Sequence, residues 1–229
     1  MQLSWYSPVA YFFLLGVASV CARRGAIDPT REWNRAHNLF MSLVVSPVAL
    51  VSVLVSWQRL CVLTGTGPLG AYFQGAADWY GEDRIMTMAF DTLRLTKFIE
   101  WIDTVWLVLR RRPLQLLHVW HHATIVLVFE AGFCSGSWAV VGIVNSCIHI
   151  VMYAYYAKVP YLFLLAKYIT TCQIFHLTCG VVLSLYTLKY PCSRVDRDTG
   201  GSYSAISLML TASYVILFLR LFHSKYKRA

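Results

Sequence analysis

The chain has 229 residues, of which 58% are apolar and 14% are charged, and its formal net charge is +9. Soluble domains are about 45–50% apolar and about 25% charged. This composition excludes a disordered chain and argues strongly against a soluble enzyme. It indicates an all-α polytopic membrane protein.

Seven apolar runs are long enough for transmembrane helices, which need about 20 mostly apolar residues. In chain order they cover about 3–22, 38–57, 86–109, 114–131, 137–157, 160–187 and 203–222. The first run lacks the basic segment that precedes the apolar core of a signal peptide, and Arg23 and Arg24 follow it, so we interpret it as a retained helix. The sequence therefore predicts one integral-membrane domain over 1–229 with seven transmembrane helices.

Basic residues are concentrated on one side of the predicted membrane. That side carries Arg23, Arg24, Arg31, Arg35, Arg110, Arg111, Arg112, Lys158, Lys225, Lys227 and Arg228. The positive-inside rule places these loops and the C-terminus in the cytosol, and the N-terminus in the lumen. The positive charge is thus assigned to topology and to a phosphate-binding face, and not to nucleic-acid binding.

The C-terminal residues 225–229 read KYKRA. Lysines at the fifth and third positions from the end, Lys225 and Lys227, match the KxKxx signal that retrieves membrane proteins to the endoplasmic reticulum. We therefore expect a multi-pass protein of that membrane. The alternative is an ordinary basic cap after a final transmembrane helix.

Three histidines open the fourth apolar run. His118, His121 and His122 have the i, i+3, i+4 spacing that places side chains on one helix face. Three adjacent imidazoles suit metal ligation or acid–base and nucleophilic chemistry near neutral pH.

Three neighbouring runs carry further polar stripes at helical spacing. The third run has Lys97, Glu100, Asp103 and Thr104; the fifth has Asn145, His149, Met152 and Tyr156, flanked by Tyr153 and Tyr155; the sixth has Lys167, Thr170, Gln173 and His176. The alternatives to a functional role are a self-neutralising Lys97–Glu100 pair and hydrogen bonds that hold helices together. Stripes on four successive runs predict a polar reaction chamber inside a helical bundle.

These residues resemble the ELO family of very-long-chain fatty-acid elongases. Residues 97–104, KFIEWIDT, resemble its KxxExxDT box, and residues 118–122, HVWHH, resemble its HxxHH box. Residues 145–156, NSCIHIVMYAYY, resemble the NxxxHxxMYxYY box, and residues 170–173, TTCQ, resemble the TxxQ box. The four boxes occur in the order that the family has.

The resemblance implies a seven-helix fold in which transmembrane helices 2–7 form a barrel-like bundle around an acyl-chain tunnel. It implies condensation of a long-chain acyl-CoA with malonyl-CoA to 3-ketoacyl-CoA, CO2 and CoA, without a metal or other cofactor. We expect His121 to attack the thioester and form an acyl-imidazole. His149 then assists, Asp103 or Asn145 orients the imidazoles, and His118 and His122 act as acid–base or oxyanion groups.

The resemblance also implies further contacts. We expect substrate binding by Lys97, Glu100, Arg110, Arg111, Arg112, Tyr153, Tyr156, Lys167, Gln173 and His176. A lumenal disulfide between Cys61 and Cys192 is a family feature that this chain can form. The family further implies the lipid bilayer and functional coupling to the reductases and dehydratase of the elongation cycle, and it leaves a homodimer open.

Three other classes of membrane protein share part of this pattern. A di-iron desaturase or hydroxylase also uses HxxHH, but it needs more histidines than the 7 in this chain. A zinc hydrolase would use three histidines with Asp103 nearby. A seven-helix receptor or transporter would explain the apolar runs but not the clustered imidazoles.

Overall fold

Ten α-helices account for most of the described chain. The computed structural model describes residues 4–25, 31–67, 71, 75–136 and 138–226. The helices are α1 Tyr6–Arg24, α2 Arg31–Phe40, α3 Ser46–Thr64, α4 Arg84–Ile99, α5 Trp101–Leu109, α6 Leu116–Ser135, α7 Trp138–Tyr156, α8 Ala166–Lys189, α9 Arg194–Asp198 and α10 Ser202–Tyr226. A π-helical turn, Met41–Val45, joins α2 to α3, and 3₁₀ turns cover Ala76–Trp79 and Leu162–Leu165.

Six helical segments within the described residues are long and apolar enough to cross a membrane. They cover 6–24, 32–64, 116–135, 138–156, 162–189 and 202–226. Six of the seven predicted transmembrane runs are thereby confirmed as candidate membrane helices, and the protein is a multi-pass membrane protein.

The third predicted run, 86–109, differs from the other six. It forms two helices, α4 with 16 residues and α5 with 9, which meet at Glu100. At this junction the Asp103 N–H bonds to the Glu100 carbonyl, an i→i+3 contact that tightens the backbone relative to an α-helix. Neither helix alone has the length of a membrane-crossing helix.

The helices pack as a closed ring. Each neighbouring pair is in contact in the order α3, α4, α6, α10, α8, α7 and back to α3. Helix α1 lies outside this ring against α5 and α6. Hydrogen bonds hold both ends: the Ser4 N–H and hydroxyl each donate to the Glu130 carboxylate at 2.6 Å, and Arg111 donates to the Ala22 carbonyl at 2.8 Å.

An aromatic cluster fills one end of the ring. The rings of Phe90 and Phe133 stack with centroids 3.9 Å apart, and Tyr80 and Trp138 contact Phe133 edge-on. All of these aromatics except Tyr80 are fully or nearly fully buried. Because such rings contribute large buried apolar areas, this end of the ring is closed by packed side chains.

The structure bears on two further predictions, the disulfide between Cys61 and Cys192 and the retrieval motif at the C-terminus. Cys61 and Cys192 are free thiols in this structure, so the disulfide expected from the family resemblance is not formed in it. The Cys192 thiol instead donates to the Tyr190 carbonyl at 3.4 Å. Of the two lysines in the retrieval motif, Lys225 is exposed at the end of α10, and Lys227 lies outside the described residues.

Candidate active site

A cavity of about 680 Å³ lies between α2, α5, α6, α7, α8 and α10. Its mouth is bordered by exposed side chains that include Arg112, Gln115 and Lys225. The predicted site residues on its wall are Asp103, Arg110, Arg112, His118, His121, His122, Asn145, His149, Tyr153, Tyr156, Gln173 and His176. The fold therefore brings most of the predicted site together around one space.

The three histidines of the HxxHH box stand together on the first turns of α6. The ring centroids of His118 and His122 are 4.4 Å apart, and those of His121 and His122 are 5.4 Å apart. The Nδ1 atoms of His121 and His122 are buried and have no hydrogen-bond partner. Both residues line the cavity, and the Nδ1 atom of each ring is not committed to a protein partner, which is unusual for a buried polar atom.

His149 has a defined tautomer. Its Nδ1 lies 2.7 Å from the Asn145 carbonyl oxygen, which can only accept, so Nδ1 carries the proton. In the neutral ring Nε2 then bears the lone pair, and it lies 3.9 Å from Glu100 Oε2. His149 can accept a proton at Nε2 with a carboxylate close by.

Lys97 and Glu100 form a buried ion pair behind the cavity wall. The Lys97 ammonium donates to Glu100 Oε1 at 2.6 Å and to Asn145 Oδ1 at 3.0 Å. Their side chains are almost inaccessible, and neither residue lines the cavity. Lys97 and Glu100 therefore form the self-neutralising pair that was the alternative to substrate binding, because their charged atoms face each other.

Asp103 is held by His37 and Tyr153, of which only Tyr153 is among the predicted site residues. Its Oδ1 lies 2.7 Å from His37 Nε2, and its Oδ2 accepts from the Tyr153 hydroxyl at 2.5 Å. Among the described contacts, Asp103 has no hydrogen bond to His121 or His122. This differs from the expectation that Asp103 orients these imidazoles. The signal missed was the Asn34, His37, Asn38 stripe, which has i, i+3, i+4 spacing on α2 and lines the cavity.

His118 is hydrogen-bonded through Thr104 to the first helix. Thr104 Oγ1 is 3.0 Å from His118 Nε2 and also accepts from the Tyr11 hydroxyl at 3.0 Å. The Tyr11 position carries no local sequence signal for a site. Tyr214, also missed, lies with its ring centroid 4.9 Å from that of His121.

The remaining predicted residues divide between the cavity and the outside. His176 Nε2 bonds to the Val141 carbonyl at 3.2 Å, and Gln173 donates to Met152 Sδ at 3.3 Å. Lys167 is exposed and does not line the cavity, and Arg111 binds the end of α1. Substrate contact by Lys167 and Arg111 stays a prediction, since neither residue lines the cavity.

A second, narrow pocket of about 40 Å³ continues from the histidines toward the aromatic cluster. It shares His121, Asn145 and His176 with the larger cavity and reaches Trp138 and Ser207. Among the described residues, no group of three or more His, Cys, Asp or Glu side chains is arranged to hold a metal ion.

Comparison with known proteins adds independent information. The family model described as "ELO: GNS1/SUR4 family" matches residues 2–229. Very long chain fatty acid elongase 3 of Mus musculus is 32% identical over 162 residues, which cover 65% of this chain and 57% of that protein. Putative fatty acid elongase 2 of Schizosaccharomyces pombe is 36% identical over 152 residues, 58% of this chain and 40% of that protein.

A longer alignment involves very long chain fatty acid elongase 4 of Trypanosoma cruzi, 32% identical over 208 residues, 85% of this chain and 68% of that protein. The chain spans less than two thirds of the length of the mouse and fission yeast relatives. No solved structure matches the chain. The match of the family model over nearly every residue shows that this chain belongs to the ELO (GNS1/SUR4) family.

Proposed function

We propose that this chain condenses a long-chain acyl-CoA with malonyl-CoA to give 3-ketoacyl-CoA, CO2 and CoA, the first step of fatty-acid elongation. The observation that carries the proposal is the cluster of His118, His121 and His122 on the wall of a polar cavity, in which His121 also lines a narrow, mostly apolar pocket. Family membership and the names of the relatives support it.

The two ends of the site suit the two ends of an acyl-CoA. Arg110, Arg112 and Lys225 line the wide cavity and provide cations for the CoA phosphates. The narrow pocket is lined by Ile125 and Phe129, apolar side chains of the kind that contact an acyl chain, and its volume of about 40 Å³ must increase to hold one. The thioester carbonyl would then lie beside His121, which lines both spaces.

In the first half-reaction a ring nitrogen of His121 attacks the thioester carbon. A C–N bond forms, the C–S bond breaks, and CoA leaves as the thiol with the proton that the imidazole loses. His149 accepts and returns protons at Nε2, and the His118 and His122 rings donate hydrogen bonds to the tetrahedral oxyanion.

In the second half-reaction malonyl-CoA loses CO2, and the electron pair of the broken C–C bond becomes an enolate. The enolate carbon attacks the acyl-imidazole, so a C–C bond forms and the C–N bond breaks. One proton is taken up overall and His121 is regenerated. The 3-ketoacyl product requires reduction and dehydration, which makes the reductases and dehydratase of the elongation cycle the proposed functional partners.

We also propose that α4 and α5 together cross the membrane as a seventh segment. Residues 84–109 span about 39 Å at the rise of an α-helix, more than the hydrocarbon thickness of about 30 Å. Seven crossings would put the two ends on opposite sides of the membrane, and the positive-inside rule then gives a lumenal N-terminus and a cytosolic C-terminus, where Lys225 and Lys227 can act as an endoplasmic reticulum retrieval signal.

The test uses membranes that contain the full chain, labelled malonyl-CoA and a panel of saturated and unsaturated acyl-CoAs. We expect label in a product two carbons longer, and a loss of at least about 10³-fold in His121→Ala, because the nucleophile is gone. His223→Ala is the matched control, since His223 is exposed near the end of α10.

Mass spectrometry of the protein after acyl-CoA alone reports the covalent step. A His121→Ala chain that still carries an acyl adduct would reassign the nucleophile, with His122→Ala as the next variant. Folded wild-type protein that extends no acyl-CoA in the panel would refute the proposed reaction.

A further inference from the structure

Helix α1 places one fully buried tyrosine against the site. Most of its large apolar side chains are exposed on the outside of the ring, for example Val9 and Phe13. Tyr11 is 0% exposed, and its ring packs edge-on against Trp101 with centroids 5.4 Å apart. The buried face of α1 thus carries a polar atom into the protein, and that atom needs a partner.

The partner connects α1 to the HxxHH box. The Tyr11 hydroxyl donates to Thr104 Oγ1 at 3.0 Å, and Thr104 Oγ1 lies 3.0 Å from His118 Nε2. Thr104 is also 0% exposed. Because the Tyr11 hydroxyl occupies one acceptor site on Thr104 Oγ1, the Thr104 hydroxyl proton is available for donation to His118 Nε2.

A neutral imidazole that accepts at Nε2 carries its proton at Nδ1. The His118 ring lines the cavity and lies 4.4 Å from the His122 ring. The Nδ1–H is then the donor on the ring edge turned away from Thr104. A donor in a water-poor site can stabilise negative charge as it develops on a reacting oxygen or sulfur atom.

We infer that α1 is a positioning element of the active site: Tyr11, acting through Thr104, fixes His118 in the Nδ1–H tautomer so that His118 presents a hydrogen-bond donor to the acyl-transfer centre. The catalytic part of this inference rests on the proposed function. The inference gives α1, which lies outside the ring, a chemical role. Contacts of Ser4 and Arg111 hold the two ends of this helix in place. Tyr11 and Thr104 are positioning residues, because neither lines the cavity.

The test compares three variants of the full chain in membranes. Tyr11→Phe removes only the hydroxyl, Thr104→Val removes the direct bond to His118, and Thr104→Ser retains a hydroxyl. Loss of an oxyanion donor lowers kcat by about 10²–10³-fold. We therefore expect about a 10²-fold loss of kcat in Thr104→Val, about a 10-fold loss in Tyr11→Phe and near-complete rescue in Thr104→Ser, with KM for both substrates nearly unchanged.

Tyr6→Phe is the matched control, because Tyr6 lies on the same helix and is exposed. A readout independent of turnover is the ¹⁵N spectrum of histidine-labelled protein, with the His118 signals assigned by their loss in His118→Gln. We expect a protonated Nδ1 and an unprotonated Nε2 in the wild type, and a changed pattern in Thr104→Val. If Thr104 only packed against its neighbours, the ¹⁵N spectrum of Thr104→Val would match that of the wild type, and Thr104→Ser would not restore kcat.

The outcomes separate the inference from the proposed function. Wild-type kcat in folded Tyr11→Phe and Thr104→Val, from a wild-type chain that is active, would overturn the inference alone. A protonated Nε2 on wild-type His118 would overturn it without any activity measurement. A wild-type chain that extends no acyl-CoA would overturn the proposed function and the catalytic role of His118, while the ¹⁵N spectra still decide whether Tyr11 and Thr104 set the tautomer.

Discussion

Removing either member of the buried Lys97–Glu100 pair should destabilise the protein strongly, and removing both should be tolerated better. Lys97 is 2% exposed and Glu100 is 3% exposed, with 2.6 Å between Nζ and Oε1. The Lys97 ammonium also lies 4.8 Å from the centroid of the Phe129 ring. Lys97→Met would therefore leave a buried carboxylate without its cation, and Glu100→Leu would leave a buried ammonium without its anion.

The magnitude follows from the number of groups left unpaired. Breaking a buried ion pair by removing one partner costs about 3–5 kcal/mol in the free energy of unfolding. In the double variant both charges are gone, and the main uncompensated atom is Asn145 Oδ1, which loses the Lys97 hydrogen bond. One unsatisfied buried acceptor costs about 1–3 kcal/mol, so the double variant should be more stable than either single variant.

The assay is thermal unfolding of the purified full chain in one detergent, arranged as a double-mutant cycle. At about 2–4 °C per kcal/mol for a chain of this size, each single variant should lower Tm by about 6–20 °C. Arg194→Met is the control, because the Arg194 side chain is 68% exposed beside Asp78 and should contribute little. Additive losses in the double variant would refute the reasoning, since uncoupled residues cannot be a compensating pair.

Two further predictions concern the loops at the closed end of the ring. Gly75→Ala should lower Tm, because its Cβ would lie 2.4 Å from the Ser193 Cα, a backbone atom, whereas Gly67→Ala meets nothing within 4 Å and should be neutral; equal Tm values would contradict this. The Arg59 guanidinium, with the Met86 N–H, holds the pKa of Asp83 below its usual range. Because the lowered pKa belongs to the folded state, the stability that Asp83 adds is complete above about pH 4 and is lost as the pH falls further. The Tm of the wild type should therefore fall more steeply in acid than the Tm of Asp83→Asn. Parallel curves of Tm against pH would contradict the assignment.

The sequence predicted the apolar helices well because hydropathy is a local property. The runs at 114–131, 137–157 and 203–222 correspond to α6, α7 and α10 within a few residues. The second run, 38–57, was too short, because the continuous helix extends from α2 to α3 over 31–64 and its first turns are polar. The third run could not be predicted to break at Glu100, since no Gly or Pro marks the break and the burial of the Lys97–Glu100 pair depends on how the helices pack.

The candidate site was predictable where its residues share one helix. His118, His121 and His122 are related by helical spacing alone, and so are Asn145 and His149. Tyr11 and Thr104 are 93 positions apart, and His37 and Asp103 are 66 positions apart. Such pairings depend on how helices pack, and a lone tyrosine in an apolar run has no feature that marks it.

The hydrogen bonds of the site divide its imidazoles into two groups. His149 commits Nδ1 to the Asn145 carbonyl, and His176 commits Nε2 to the Val141 carbonyl, so each of these rings has one tautomer fixed by the backbone. His121 and His122 each retain an Nδ1 atom with no protein partner, and His121 lines both the wide cavity and the narrow pocket. A nucleophile needs an uncommitted lone pair, and a proton carrier needs a fixed one. The division therefore favours an acyl-carrying role for His121 and a proton-handling role for the histidines of α7 and α8.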